Sequence, residues 1–203
     1  LMNRFYDVSR GMIEINGVDI RKYDLESLRA QIGYVAQKAH MFKGSIQSNI
    51  CFGKPDASDE EMVHAATVAQ ASDFISKREH GYLDEIAEDG TNISGGQKQR
   101  LSIARVILKK PSLYIYDDSF SALDFKTDAT LRKALKPEVK DAIFFVVAQR
   151  ISTIMDSDMI IVLDEGQIIV MGTHTQLLKD CRVYQEIAHS QLTQKELDDY
   201  ERN

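Results

Sequence analysis

Asn92-Ile-Ser-Gly-Gly-Gln-Lys-Gln-Arg100, a helix-patterned stretch, and then Leu113-Tyr-Ile-Tyr-Asp-Asp118 together decide how the rest of this chain is read. Two glycines behind a serine, opening a helix, offer bare backbone N–H groups and a positive dipole end to a phosphate. An apolar strand ending in two carboxylates offers a seat for Mg²⁺ and a group to orient water. Each has a plainer alternative: a glycine-rich helix start, and two acids in a strand-end turn. Four apolar residues ahead of Asp117 and Asp118 favour the buried strand.

Working outward, Met12 to Ile15, Asn16-Gly17 and Val18 to Ile20 form a hairpin signal, since Asn-Gly suits a type I′ turn. Asp24 caps a short helix through Arg29, and Ile32 to Ala36 reads as a buried strand. From Ser58 to about Lys77 the pattern is helical, with Ser58 as cap and Glu60 and Glu61 in the first turn. A second helix runs from about Ser94 to Lys109 and stops at Pro111. Strand Leu113–Tyr116, helix Lys126–Leu135, strand Ile143–Val147 and a short helix near Ile151 then alternate. That alternation predicts an α/β fold with a parallel sheet, in which Ile143-Phe-Phe-Val-Val147 suits a strand buried on both faces. Asp158–Leu163 and Gln167–Met171 around Glu165-Gly166 give a last hairpin. Helices Thr173–Leu178 and Val183–Leu197 and a charged tail follow. The segment 38–107 reads as a mostly helical insert in the core.

Composition narrows the function classes. The 203 residues suffice for one large domain, or a core with a subdomain, and charged (28%) and hydrophobic (43%) shares are those of a folded soluble chain. A net charge of −6, a pI near 5.4 and the lack of a dense Lys/Arg run argue against a nucleic-acid partner. The longest unbroken apolar run, Ala142 to Ala148, falls far short of the roughly 18 residues of a membrane span. The start Leu1-Met-Asn-Arg-Phe reads as mid-domain and not as a signal peptide. Cys51 and Cys181 lack metal-ligand spacing and read as reduced cytosolic thiols.

In this order and spacing, the two stretches resemble the signature and Walker B of ABC-transporter nucleotide-binding domains. Arg4-Phe-Tyr-Asp7, Ile15-Asn-Gly-Val-Asp-Ile20, Ile32-Gly-Tyr-Val-Ala-Gln37 and Gly166 to Leu178 are similar to the exporter branch in particular. The resemblance covers the chain from near Leu1 to about Ala188. It implies a RecA-like P-loop NTPase core (1–37 and 108–203) and an inserted helical signature subdomain (38–107). ATP and Mg²⁺ are the implied cofactors. Asp117 then holds Mg²⁺, and Gln37 contributes an oxygen to it while sensing the neighbouring lobe; taken alone, Gln37 is an ordinary surface glutamine after a strand. Ser94, Gly95, Gly96 and Gln97 bind nucleotide as the signature, with Ile93 in place of the usual leucine. Ser121-Ala-Leu-Asp124 matches the loop along the dimer seam, which makes Asp124 nucleotide-facing. Glu88 and Gly90 resemble the segment that touches the membrane domain's coupling helices, although a solvated turn accounts for them as well.

Two positions depart from the family. Asp118 stands where a glutamate polarises the attacking water, and Gln149 where a histidine binds the γ-phosphate. Glutamine still donates a hydrogen bond but cannot titrate near neutral pH. The phosphate loop Gly-x-x-x-x-Gly-Lys-Ser/Thr occurs nowhere in the 203 residues, so the chain reads as a fragment, or the ordered part, of a longer polypeptide. The family pairs these domains head to tail. A near-consensus signature beside altered catalytic positions therefore implies a heterodimer with a second nucleotide-binding domain, as in bacterial heterodimeric multidrug exporters. It also implies a transmembrane domain in the same polypeptide and a place on the cytoplasmic face of the membrane. Two alternatives stay open. One is a non-catalytic regulatory or scaffold module; the other is a DNA-repair ABC ATPase, which would need long flanking heptads that are absent here.

Overall fold

The computed structural model describes residues 1–192, and they fall into two compact units, 1–147 and Ala148 onward. The first unit opens with an antiparallel hairpin, β1 (Glu14–Ile15) and β2 (Val18–Asp19). Its turn residues Asn16 and Gly17 sit at φ 52° and 73°, the left-handed pair a type I′ turn requires. The Asp24 carboxylate accepts from the Ser27 N–H at 3.0 Å and caps α1 (Leu25–Ala30), which feeds β3 (Ile32–Val35). After β4 (Gly44–Ser45) come three helices, α2 (Ile46–Cys51), α3 (Asp59–Val68) and α4 (Ser72–Ile75). β5 (Glu85–Ile86) pairs with β4. α5 (Gly95–Lys109) then runs to β6 (Leu113–Asp117), and α6 (Phe125–Glu138) leads to β7 (Ile143–Val147).

β3, β6 and β7 form a parallel sheet in that order, the arrangement expected of strands joined by helical crossovers. Leu101, Ile103, Ala104, Ile107 and Leu108 of α5 are buried in the main core with Tyr114 and Tyr116 of β6. Close packing of α5 on the sheet explains Gly33: a Cβ there would stand 2.5 Å from Val106 Cγ1 and 2.6 Å from Pro111 Cγ. Lys110 takes a left-handed C-cap at φ 49° and Pro111 follows, which ends α5.

Two expectations are corrected. The helix read from Ser58 to Lys77 is broken between α3 and α4. The Gln70 N–H donates to the Thr67 carbonyl at 3.0 Å and the Ala71 N–H to the Ala66 carbonyl at 2.8 Å, with Gln70 left-handed at φ 58°. That is a Schellman ending built on glutamine instead of glycine. The Arg100 guanidinium stabilises it, donating to the Gln70 carbonyl at 2.8 Å while lying 4.9 Å from the Phe74 ring centre. Second, β7 is buried on one face only. Phe144 and Val146 pack on the core, whereas Ile143, Phe145 and Val147, on the opposite face, are exposed.

The second unit has its own core of Ile151, Ile160, Val162, Leu177, Cys181, Tyr184, Ala188 and Leu192. It comprises α7 (Ile151–Ile154), the antiparallel hairpin β8 (Ile160–Asp164) and β9 (Gln167–Gly172), α8 (His174–Asp180) and α9 (Arg182–Gln191). A Thr173–Gln176 capping box opens α8. The helix read as Val183–Leu197 is observed as Arg182–Gln191, with Leu192 extended at its C-cap; the rest of that reading and the charged tail fall outside the described residues. Cys51 and Cys181 are both free thiols. No helix among the described residues is long and apolar enough to cross a membrane.

Candidate functional site

The parallel register sets the carboxyl ends of β3 and β6 side by side, the place where open α/β sheets bind ligands. Tyr34 is opposite Ile115, so its side chain shares a face with Asp117, and its hydroxyl donates to Asp117 Oδ2 at 2.9 Å. Partial burial, and then this bond, raise the Tyr34 phenol above its ordinary pKa. Asp118 leaves the strand in a left-handed conformation at φ 45°, a strained state that aspartate tolerates better than most residues. Its N–H donates to the Val147 carbonyl at 2.8 Å, and its carbonyl accepts from the Ser121 hydroxyl at 2.7 Å. The Gln37 amide donates to Asp118 Oδ2 at 3.1 Å. Below them the buried Ser119 hydroxyl donates to the Val35 carbonyl at 2.9 Å, stitching the two strand ends together.

The Ser94–Gln97 stretch is the first turn of α5. Ser94 Oγ accepts from the Gln97 N–H at 3.3 Å and Gln97 Oε1 accepts from the Ser94 N–H at 3.0 Å, a complete capping box. Gln97 is thereby committed to the cap. Gly95 is different: it has no positive φ, and a Cβ on it would meet nothing within 4 Å. Neither backbone conformation nor packing inside the chain calls for glycine there. Gly96, by contrast, faces the Ala122 carbonyl, 3.3 Å from where a Cβ would stand. Five residues into the helix, the buried Gln99 donates to the Ala36 carbonyl at 3.1 Å, tying α5 to the residue before Gln37.

Gln37, Asp117 and Asp118 are therefore brought together, with the signature turn connected to them through α5. Asp124 is held elsewhere, as the N-cap of α6. Its carboxylate accepts from the Thr127 N–H at 3.0 Å and the Thr127 hydroxyl at 2.7 Å, and these bonds lower its pKa. Gln149 belongs to the second unit, just before α7, and its carbonyl accepts from Gln191 Nε2 at 2.9 Å. Sequence reasoning missed Tyr34 and Gln191. The first is visible only once the parallel register sets Tyr34 opposite Ile115, and no local pattern announces the second.

Among the described residues no cluster of three or more His, Cys, Asp or Glu side chains has metal-binding geometry. Two adjacent carboxylates with an amide beside them suit an ion that keeps much of its water and takes phosphate oxygens, as Mg²⁺ does. Asp117 and Gln37 are the residues that would hold it.

A parallel-sheet core with paired carboxylates at a strand end and a capped Ser-Gly-Gly helix start defines the ABC class of ATP-binding domains. The ABC transporter family model matches residues 1–121, and the chain belongs to that family as its ATP-binding, ATPase-type domain. It is 47% identical over 178 residues to a putative multidrug export ATP-binding/permease protein of Bacillus subtilis, YgaD, covering 88% of this chain and 31% of that one. Heavy metal tolerance factor 1 of Caenorhabditis elegans is 41% identical over 195 residues, 96% of this chain and 24% of that one. A bacterial Atm1-family ABC exporter solved with ATP bound superposes with a TM-score of 0.90 at 38% identity, covering 93% of this chain and 33% of that chain. The chain thus spans about a third or less of these relatives' length.

Proposed function

We propose that this chain is the ATP-binding and hydrolysing domain of an ATP-driven membrane exporter, joined to a transmembrane domain and paired with a second nucleotide-binding domain of different sequence. In this reading 1–37 and 108–203 correspond to the family's RecA-like core and 38–107 to its signature subdomain. It works at the cytoplasmic face of the membrane. The observation that carries this reading is Gly95: an exposed glycine in the first turn of a capped helix, with no internal reason to be glycine, leaves room for a group from outside the chain. The partner's bound triphosphate is that group, met by the Ser94 hydroxyl and the helix's first N–H groups. The neighbours in sequence and structure named above, multidrug export proteins and an Atm1-family exporter, support the exporter assignment.

At the chain's own site, Mg²⁺ when bound neutralises phosphate charge. Asp117 and Gln37 would hold it, Asp118 would polarise water, and Gln149 would donate toward the γ-phosphate. Aspartate is one methylene shorter than glutamate. The shortfall of roughly 1 Å can cost about 100-fold in rate, so this site hydrolyses slowly while its signature completes a faster site on the partner. Docking of the membrane domain is assigned to the segment around Glu88 and Gly90 and to Phe42 and Phe52. These two exposed rings lie 4.5 Å apart, with the Arg105 guanidinium 5.2 Å and 5.7 Å from their centres.

In the whole transporter, Gly95→Asp places a side chain and a negative charge where the partner's phosphate approaches a positive helix end, and is expected to nearly abolish turnover. Asp118→Asn is expected to cost much less. Steady-state ATPase rates of the two variants test the assignment; greater damage from Asp118→Asn would reverse the division of labour between the sites.

A further inference from the structure

Gln191, the last residue of α9, grips the chain on both sides of Arg150. Its Oε1 accepts from the Ile151 N–H at 2.9 Å, and its Nε2 donates to the Gln149 carbonyl at 2.9 Å. Ile151 is the first residue of α7, and the residue before it is an arginine, whose side chain has donors but no acceptor to give a helix N-terminus. The amide at that helix start is therefore satisfied from 40 residues away, by a side chain of another helix. Capping requires only the acceptor. The second bond, to the carbonyl of Gln149 itself, fixes the peptide that carries the Gln149 side chain.

We propose that Gln191 is a positioning residue for the Gln149 switch: one primary amide holds the backbone on either side of Arg150, so that the end of α9 sets where the Gln149 side chain points. This rests on the role given to Gln149 above. Gln191 acts through the turn it holds.

The test uses the complete transporter with the partner's own hydrolytic site inactivated, so that only this chain's site reports. Three variants are compared by hydrogen exchange of the peptide containing Ile151 and by kcat and KM for ATP. Gln191→Ala loses both bonds; exchange at Ile151 should quicken about tenfold, the scale of one or two lost hydrogen bonds. Its kcat should fall about tenfold, less than a full 1 Å misplacement would produce, with KM within about twofold. Gln191→Glu keeps size and the acceptor for Ile151 but loses the donor to Gln149. It should retain exchange protection at Ile151 and still lose kcat. A wild-type kcat in Gln191→Glu would reduce Gln191 to a helix cap and overturn the proposal, as would unchanged exchange in Gln191→Ala. Gln149→Ala separates the two layers. If it lowers kcat and neither Gln191 variant does, the positioning role alone is wrong; if it leaves kcat untouched, the role of Gln149 fails and the proposal fails with it.

Discussion

At residue scale the informative comparison is between positions whose chemistry is visible in isolation and positions whose chemistry depends on a neighbour. Within the proposed function Asp118 and Gln149 stand out: aspartate is one methylene shorter than glutamate, and glutamine cannot titrate near neutral pH. Asp118→Glu with Gln149→His, in the proposed heterodimer, is expected to raise hydrolysis at this chain's site. Each change alone should do less, since groups acting as one catalytic unit are not additive. Single-turnover hydrolysis with the partner's catalytic carboxylate neutralised measures it; no increase over the unrestored control would mean that these two side chains do not limit the site. Tyr34 and Gln191 were not legible in this way. A tyrosine in a strand and a glutamine ending a helix are ordinary residues, and only the parallel register of β3 with β6, or the fold of the second unit, gives them their contacts.

At the scale of elements, those announced by turn or cap chemistry were legible. Asn16-Gly17, Asp24, Ser58 and Pro111 each mark an observed boundary, because local hydrogen bonding and φ preference decide them. The break after α3 was not, because the left-handed residue is glutamine and its support comes from Arg100, 30 residues further on. Arg100→Met is therefore expected to destabilise the fold by about 2 kcal/mol, from a charged hydrogen bond to a backbone carbonyl and a cation–π contact together. Arg100→Lys should recover only part, since lysine lacks the planar fork. Urea unfolding of the two variants checks this; equal midpoints for Arg100→Met and the parent would show that the Gln70 turn holds without the guanidinium. The one-sided burial of β7 escaped for another reason: Ile143-Phe-Phe-Val-Val147 has no alternation to separate its faces, and composition cannot say what lies against each.

At the scale of the whole molecule, the 203-residue chain carries a signature and a strand-end carboxylate pair but no phosphate-loop lysine. Millimolar Mg-ATP is expected to leave its melting temperature unchanged, since a ligand raises it only as far as it binds the folded state. A rise of several degrees by scanning calorimetry would show a more complete nucleotide site in these residues. The bond from Gln99 to Ala36 has a mechanical corollary. Ser94 and Gln99 are separated by about 7.5 Å along one helix at 1.5 Å per residue, and a buried side-chain bond ties the second of them to the strand end that leads into Gln37. Within the proposed pairing, the first of these points faces the partner's nucleotide and the last faces this chain's own. In that pairing α5 would join a point facing the partner's nucleotide to the strand end that leads into Gln37 through one helix and one buried amide, a connection contained in this chain alone.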